Sequence, residues 1–242
     1  MSGRVYGVGL GPGDPELMSV RADRLVRSGR HIAFFRKAGN AGRARTIVQG
    51  MLASGAQEHA MEYPVTTEIP LSDPRYNELL SGFYSDCIAR LTALVAQGED
   101  VVVLCEGDPF FYGSFMHLYT RLQEADVPVE VVPAVTGMSA AWTASGVPIT
   151  WGDDILSTVM GTLDADCLTA AMRAADALVV MKIGRNLPKV RACLAAVGKL
   201  ERAVLVEYAA MEGQTVRPLS EVEAQKLPYF SIILVHGQGR RP

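Results

Sequence analysis

The chain lacks long hydrophobic runs, paired cysteines, clustered histidines and any excess of basic charge, and each shortage removes a class of function. Its uninterrupted apolar stretches are as short as Ile232 to Val235, against the roughly 18 residues a helix needs to cross a bilayer. No membrane partner is expected. The opening Met1-Ser2-Gly3-Arg4 runs straight into strand-like sequence, without the charged-then-apolar order of a signal peptide, so the expected compartment is the cytoplasm. Cys87, Cys105, Cys167 and Cys193 are widely spaced without a CxxC pair, which argues against a zinc site or a disulfide framework. His31, His59, His117 and His236 show no ligand spacing either, and no metal site is predicted. A formal net charge of -3 offers no footprint for nucleic acid.

What remains is the composition of a globular enzyme. Of 242 residues 49% are apolar and 20% charged, too apolar for disorder and long enough for two domains. Elements alternate through the first half. Arg4 to Leu10, His31 to Phe35, Gln57 to Tyr63, Val101 to Cys105 and Val129 to Val132 read as strands. Helices are predicted from Glu16 to Ser28 with Leu17, Val20 and Leu25 inward, from Pro74 to Gln97, and from Phe115 to Glu124. Strands separated by helices predict a doubly wound, mostly parallel sheet. After the Ala- and Gly-rich stretch Pro133 to Pro148 come strand-like segments near 156–161, 177–183, 203–208 and 229–236, with helices at 168–174 and 187–197. Gln214 to Arg217 could pair antiparallel with Ser231 to Val235, so the second sheet is expected to be mixed. The fold class is therefore two α/β domains, over residues 1–134 and 135–242, with Pro148 as the other possible boundary.

Two glycine-rich turns stand where ligands bind, beyond the carboxyl ends of strands. The first, Gly7-Val8-Gly9-Leu10-Gly11-Pro12-Gly13-Asp14-Pro15, fails the dinucleotide pattern G-x-G-x-x-G in either register, with Pro12 or Asp14 at the third glycine position. Proline has no N–H for a phosphate, and an aspartate at a helix start repels one. Arg36 and Lys37 end the second strand in place of the acid that would bind an NAD ribose; an arginine there suits an NADP phosphate, which keeps a reductase open. The second turn is Glu106-Gly107-Asp108-Pro109-Phe110-Phe111-Tyr112-Gly113-Ser114. It reads equally as a ligand wall or as a helix start with Asp108 as cap and Pro109 in the first turn. Two glycine-proline-acid turns suit a ligand that has no phosphate and carries positive charge, such as S-adenosylmethionine.

In chain order, Gly9-Leu10-Gly11-Pro12-Gly13-Asp14-Pro15, then Gly107-Asp108-Pro109 with Tyr112-Gly113, then Val132-Pro133-Ala134-Val135-Thr136-Gly137 resemble the tetrapyrrole methylase family. Val179-Val180-Met181-Lys182-Ile183-Gly184, Val206-Glu207-Tyr208-Ala209 and the closing strand continue the resemblance across nearly the whole chain. It implies two α/β domains with an active site in the interdomain cleft, a homodimer, and S-adenosylmethionine as methyl donor. Carried over by motif, the cofactor-binding residues would be Pro12, Glu106, Gly107, Asp108, Phe111, Tyr112, Thr136, Gly137, Ile183, Tyr208, Ala209 and Ile232. Sister methylases more often have glycine at the positions of Glu106 and Ala134 and methionine at that of Ile183. Glu106 before Gly107, the aromatic run after it and Tyr63-Pro64-Val65-Thr66-Thr67-Glu68 resemble the branch that methylates the C20 meso carbon of precorrin-2 in cobalamin biosynthesis.

Such a carbon is enamine-like, so positioning in a dry cleft carries most of the rate and no strong base is needed for attack. A proton must leave afterwards, and Glu106, Asp14 and Glu68 are the acids in reach by sequence; no catalytic residue is assigned among them. Asp14, Arg36, Lys37 and Glu68 are the substrate-binding candidates, the cations because the macrocycle carries many carboxylates. Arg43 and Arg45 extend that basic loop. Alternatives are another C-methyltransferase of the pathway, the cobalt-dependent counterpart acting on cobalt-factor II, the NADP reductase, and a tetrapyrrole carrier without turnover.

Overall fold

The structure is a computed structural model that describes residues 3–65, 69 and 73–239. Contacts divide the chain into a unit of residues 1–136 and a unit of residues 137–242. In the first, strands β1 (Val5–Gly9), β2 (His31–Lys37), β3 (Gln57–Tyr63), β4 (Val101–Cys105) and β5 (Val129–Val132) alternate with helices α1 (Val20–Ser28), α2 (Arg43–Ile47), α3 (Pro74–Ala96) and α4 (Phe115–Glu124). The sheet order is β3-β2-β4-β1-β5, and every pairing is parallel. Alternation along β4 explains the two layers. Val101, Val103 and Cys105 join the core under α3 and α4, whereas Val102 and Leu104 join the core under α1 and α2. The chain leaves β1 towards β2 and leaves β4 towards β5, so connections depart in opposite directions from neighbouring strands. That is a topological switch point, where open α/β sheets hold ligands.

Three local expectations need correction. The first helix does not run from Glu16: Pro15–Leu17 is a single 3-10 turn, and Ser19 caps a fresh start by accepting from the Ala22 N–H. The restart shifts the buried face to Ala22 and Val26, leaving Val20 76% exposed. In α3 the buried stripe is Phe83, Tyr84, Cys87, Leu91 and Val95, while Leu79 faces out. This helix is long and apolar enough, by length and composition alone, to cross a membrane, which the search for unbroken apolar runs overlooked. Its stripe packs on the sheet instead.

The second unit holds α5 (Gly137–Ser145), β6 (Leu156–Met160), α6 (Ala165–Ala174), β7 (Ala177–Met181), α7 (Leu187–Ala196), β8 (Ala203–Glu207), β9 (Thr215–Pro218) and β10 (Ser231–Val235). Its sheet, in order β6-β7-β10-β8-β9, is mixed, with β6 and β7 parallel and the remaining pairs antiparallel. The residues at 214–217 pair with β8, not with the closing strand as expected; β10 inserts between β7 and β8 and so fills both of its own edges. Helices α6 and α7 cover one face, and α5, which small residues had disguised as loop, covers the other.

One glycine shows how tightly the first unit is closed. A Cβ at Gly7, in the middle of β1, would stand 2.2 to 2.8 Å from ring atoms of Phe115, which is 1% exposed. Gly7 is therefore a packing residue and not part of a ligand loop. Gly7→Ala is expected to destabilise the protein by about 1–3 kcal/mol through overpacking, read as a lower urea midpoint; an unchanged midpoint would contradict this packing.

Candidate functional site

At the switch point the two strand ends are sewn together by backbone. Gly9 lies opposite Cys105 in the register. Beyond it the Leu10 N–H donates to the Cys105 carbonyl at 2.9 Å and the Gly107 N–H donates to the Gly11 carbonyl at 2.9 Å. The two turns thus form an antiparallel bridge, with Gly11 at φ 82° and Gly107 at φ 70°, in the left-handed region that glycine tolerates. A Cβ on Gly107 would meet nothing within 4 Å. The turn therefore borders open space. Pro12 is buried immediately after the bridge.

Asp108 holds this arrangement from below. One carboxylate oxygen accepts from the Phe110 N–H and the other from the Ala134 N–H, both at 2.9 Å. Ala134 follows β5, so the side chain reaches past β1 and ties the β4 turn to the far strand. The helix does not begin at Pro109; α4 starts at Phe115, and the intervening residues form an open turn. Within it Tyr112 sits at φ 56° and 45% exposed, its ring 4.8 Å from that of Phe111 in an edge-on contact. A non-glycine residue held at positive φ costs on the order of 1–3 kcal/mol and clusters at ligand sites. The Tyr63 hydroxyl donates to Ser114, and burial raises the phenol of neighbouring Tyr84 above its ordinary value. This tie was not found from sequence, because only the strand order brings the end of β3 beside the turn after β4.

Most of the candidate charges are committed to partners on neighbouring elements. Asp14 accepts from the Glu16 N–H at 2.9 Å and caps the 3-10 turn. Arg36 donates to Glu62, its register partner on β3, at 2.8 Å. Arg45 makes a bidentate pair with Glu58 at 2.7 and 2.8 Å. The basic loop expected for substrate is therefore a short helix, α2, with much of its charge balanced. Lys37 ends β2, and Glu68 lies outside the described residues. Glu106 differs. Alternation along β4 sends it to the α2 side; burial raises its carboxyl above the ordinary glutamate value, and the Arg43 guanidinium pulls it partly back. Among the described residues, no group of three His, Cys, Asp or Glu side chains could hold a metal ion.

In the second unit the predicted residues gather at one sheet edge. Ile232 on β10 lies opposite Val206, near the end of β8, and Ile233 lies opposite Val180, near the end of β7. Gly137 opens α5; a Cβ there would meet only the Ile232 side chain, at 3.9 Å. Ala209 and Ile232 pack beside Met138 and Trp142. Tyr208 stands at φ 54° and Lys182 at φ 51°, so strain again marks strand ends. Ile183 is 1% exposed and its side chain belongs to the core under α6 and α7, which leaves its backbone for any ligand. Thr136 is the last residue of the first unit. Glu207 is held by Arg217 at 2.7 Å and accepts from Thr215.

This arrangement has counterparts among solved methyltransferases. A cobalt precorrin-4 methyltransferase matches with a TM-score of 0.71 at 19% identity, over 96% of this chain and 94% of that one. A uroporphyrin-III C-methyl transferase from Thermus thermophilus, complexed with S-adenyl homocysteine, matches at 0.69 and 24% identity, over 97% and 92%. The fold is thus that of a two-unit α/β methyltransferase. Sequence is more specific. The chain is 44% identical over 240 residues to a precorrin-2 C(20)-methyltransferase of Sinorhizobium sp, covering 99% of this chain and 98% of the relative. Over 243 residues it is 30% identical to a cobalt-precorrin-2 C(20)-methyltransferase of Salmonella typhimurium, covering 98% of each. Tetrapyrrole (Corrin/Porphyrin) Methylases match residues 4–223, and the chain belongs to that family. The reductase reading falls with that membership, and Gly7 serves packing rather than a dinucleotide loop.

The double role of Asp108 gives a test of the site's construction. Asp108→Ala frees two backbone donors and is expected to cost about 1–3 kcal/mol of stability, with amide exchange accelerated at Phe110 and Ala134. Unchanged stability and exchange would mean that Asp108 does not hold the turn.

Proposed function

We propose that the protein is an S-adenosylmethionine-dependent methyltransferase that methylates the C20 meso carbon of precorrin-2, giving precorrin-3A in cobalamin biosynthesis. The observation that carries this reading is 44% identity across 99% of the chain with an enzyme named for that reaction. Identity to the cobalt-substrate relative is 30%, which favours the metal-free substrate.

The cofactor's contribution is an electrophilic methyl group on a sulfonium centre. The residues present fit such a molecule. Gly107 offers exposed backbone beside open space, and no phosphate-type G-x-G-x-x-G loop competes. Pro12, Gly107, Phe111, Tyr112 and Thr136 in the first unit would hold it, with Asp108 supporting the turn beneath. In the second unit Gly137, the Ile183 backbone, Tyr208, Ala209 and Ile232 would do so. The substrate carbon is already nucleophilic, so the chain's main task is to hold both reactants in line and exclude water, a gain of up to about 7–11 kcal/mol for well-oriented groups. Lys37, and Arg36 while it stays paired with Glu62, are suited to the macrocycle's carboxylates. We infer further that the enzyme works in the cytoplasm as a homodimer, without nucleic acid or membrane, as its family resemblance and weakly acidic composition suggest.

Methyl-labelled S-adenosylmethionine supplied with metal-free or cobalt-bearing substrate tests the proposal. Label is expected at C20 of the metal-free macrocycle. Label on another carbon, or none, would refute the assignment, and preferential labelling of the cobalt-bearing substrate would transfer the enzyme to the cobalt-dependent route.

A further inference from the structure

We propose that Glu106 receives the proton lost from the methylated ring carbon and that it is not a cofactor contact. The inference rests on the methyltransferase reading above and names the group that completes the reaction.

Elimination by geometry leads to this residue. Every other described acid named for the carboxyl edge of the first sheet is occupied. Asp14 caps a turn, Asp108 uses both oxygens on backbone N–H groups, and Glu62 is paired with Arg36. Glu207, at the strand ends of the second sheet, is held by Arg217 and Thr215. Glu106 has no hydrogen bond among the described residues, although it immediately follows a fully buried strand and precedes the Gly11–Gly107 bridge. Glu106 is half-buried, and a partly desolvated carboxyl left without a hydrogen bond at a ligand edge marks a group available for chemistry.

The surrounding charges set its basicity. Neighbouring elements carry Asp14 after β1, Arg36 and Lys37 at the end of β2, Arg43 on α2 and Asp108 in the same turn. Of these, Arg43 is the charge that bears on Glu106, opposing the effect of burial. A poorly hydrated carboxylate is a stronger base than a solvated one, and a nearby guanidinium offsets part of the effect of burial. After methyl transfer the ring carbon carries both the new methyl and its original hydrogen. Its C–H bond then breaks, the electron pair returns to the ring's conjugation, and the proton passes to the Glu106 carboxylate and from there to solvent. Nothing is oxidised or reduced.

The test combines three readouts on Glu106→Gln and Arg43→Gln. Calorimetry with S-adenosylhomocysteine should give Glu106→Gln a Kd within about threefold of the parent, while kcat falls about 100- to 10,000-fold. In the parent, kcat should rise with pH through the raised carboxyl titration. That acid limb should vanish in Glu106→Gln and move to higher pH in Arg43→Gln, where the opposing charge is gone. Infrared difference titration of the ligand-free protein should show the same carboxyl in the parent and none in Glu106→Gln. A tenfold or greater loss of S-adenosylhomocysteine affinity would make Glu106 a cofactor contact and overturn the proposal. So would a kcat within about threefold of the parent with its acid limb in place. A parent enzyme that binds S-adenosylhomocysteine but methylates no tetrapyrrole would sink the functional reading, and this inference with it.

Discussion

The site depends on the backbone bridge between Gly11 and Gly107. Two strands that end side by side in a parallel sheet would ordinarily diverge into separate connections, and here their turns remain paired beyond the sheet. The two bonds that do this contribute only about 0.5–1.5 kcal/mol each. Packing supplies more. Burying Phe115 over the bare backbone of Gly7 is worth about 1.5–3 kcal/mol, and it anchors the helix into which the acidic turn feeds. The bridge is therefore a weak contact held in place by a strong one, with the Asp108 carboxylate preventing the turn from swinging away from β5.

At strand ends within each unit the protein accepts local costs that its cores do not show. Tyr112, Lys182 and Tyr208 take positive φ just after strands β4, β7 and β8, and Glu106 is desolvated without a hydrogen bond. In the cores, by contrast, the side chains between sheet and helices are apolar and buried. Strain and desolvated charge at strand ends are what proteins keep where ligands bind, since neither improves stability.

Val101–Cys105 was legible because a buried parallel strand is a continuous apolar run, and the edge strands Gln57–Tyr63 and Val129–Val132 also stand where the residues indicate. Helix α3 was equally plain from its 3.6-residue stripe, although the buried face includes Tyr84 and leaves Leu79 outside. Less was legible where a local choice overrides a pattern. Ser19 restarts α1 and changes its buried face. Helix α5 is rich in Gly, Ala and Ser and carries little apolar contrast. The strand at 215–218 has two antiparallel candidates, and only the insertion of β10 excludes one. At the site, residue types and order were visible, but partners were not. The pairing of Arg36 with Glu62 needs the β2–β3 register, and the reach of Asp108 to Ala134 needs the strand order. The solitary state of Glu106 follows only once those neighbours are seen to be taken.

The central claim is that the bridged turns of the first unit form the floor of the methyl-donor site. Amide hydrogen exchange with and without S-adenosylhomocysteine addresses it directly. Exchange at Leu10, Gly11 and residues 106–113 is predicted to slow on ligand addition, by more than at β3 or α2. Binding that leaves those amides unchanged, or protects other segments alone, would contradict the account.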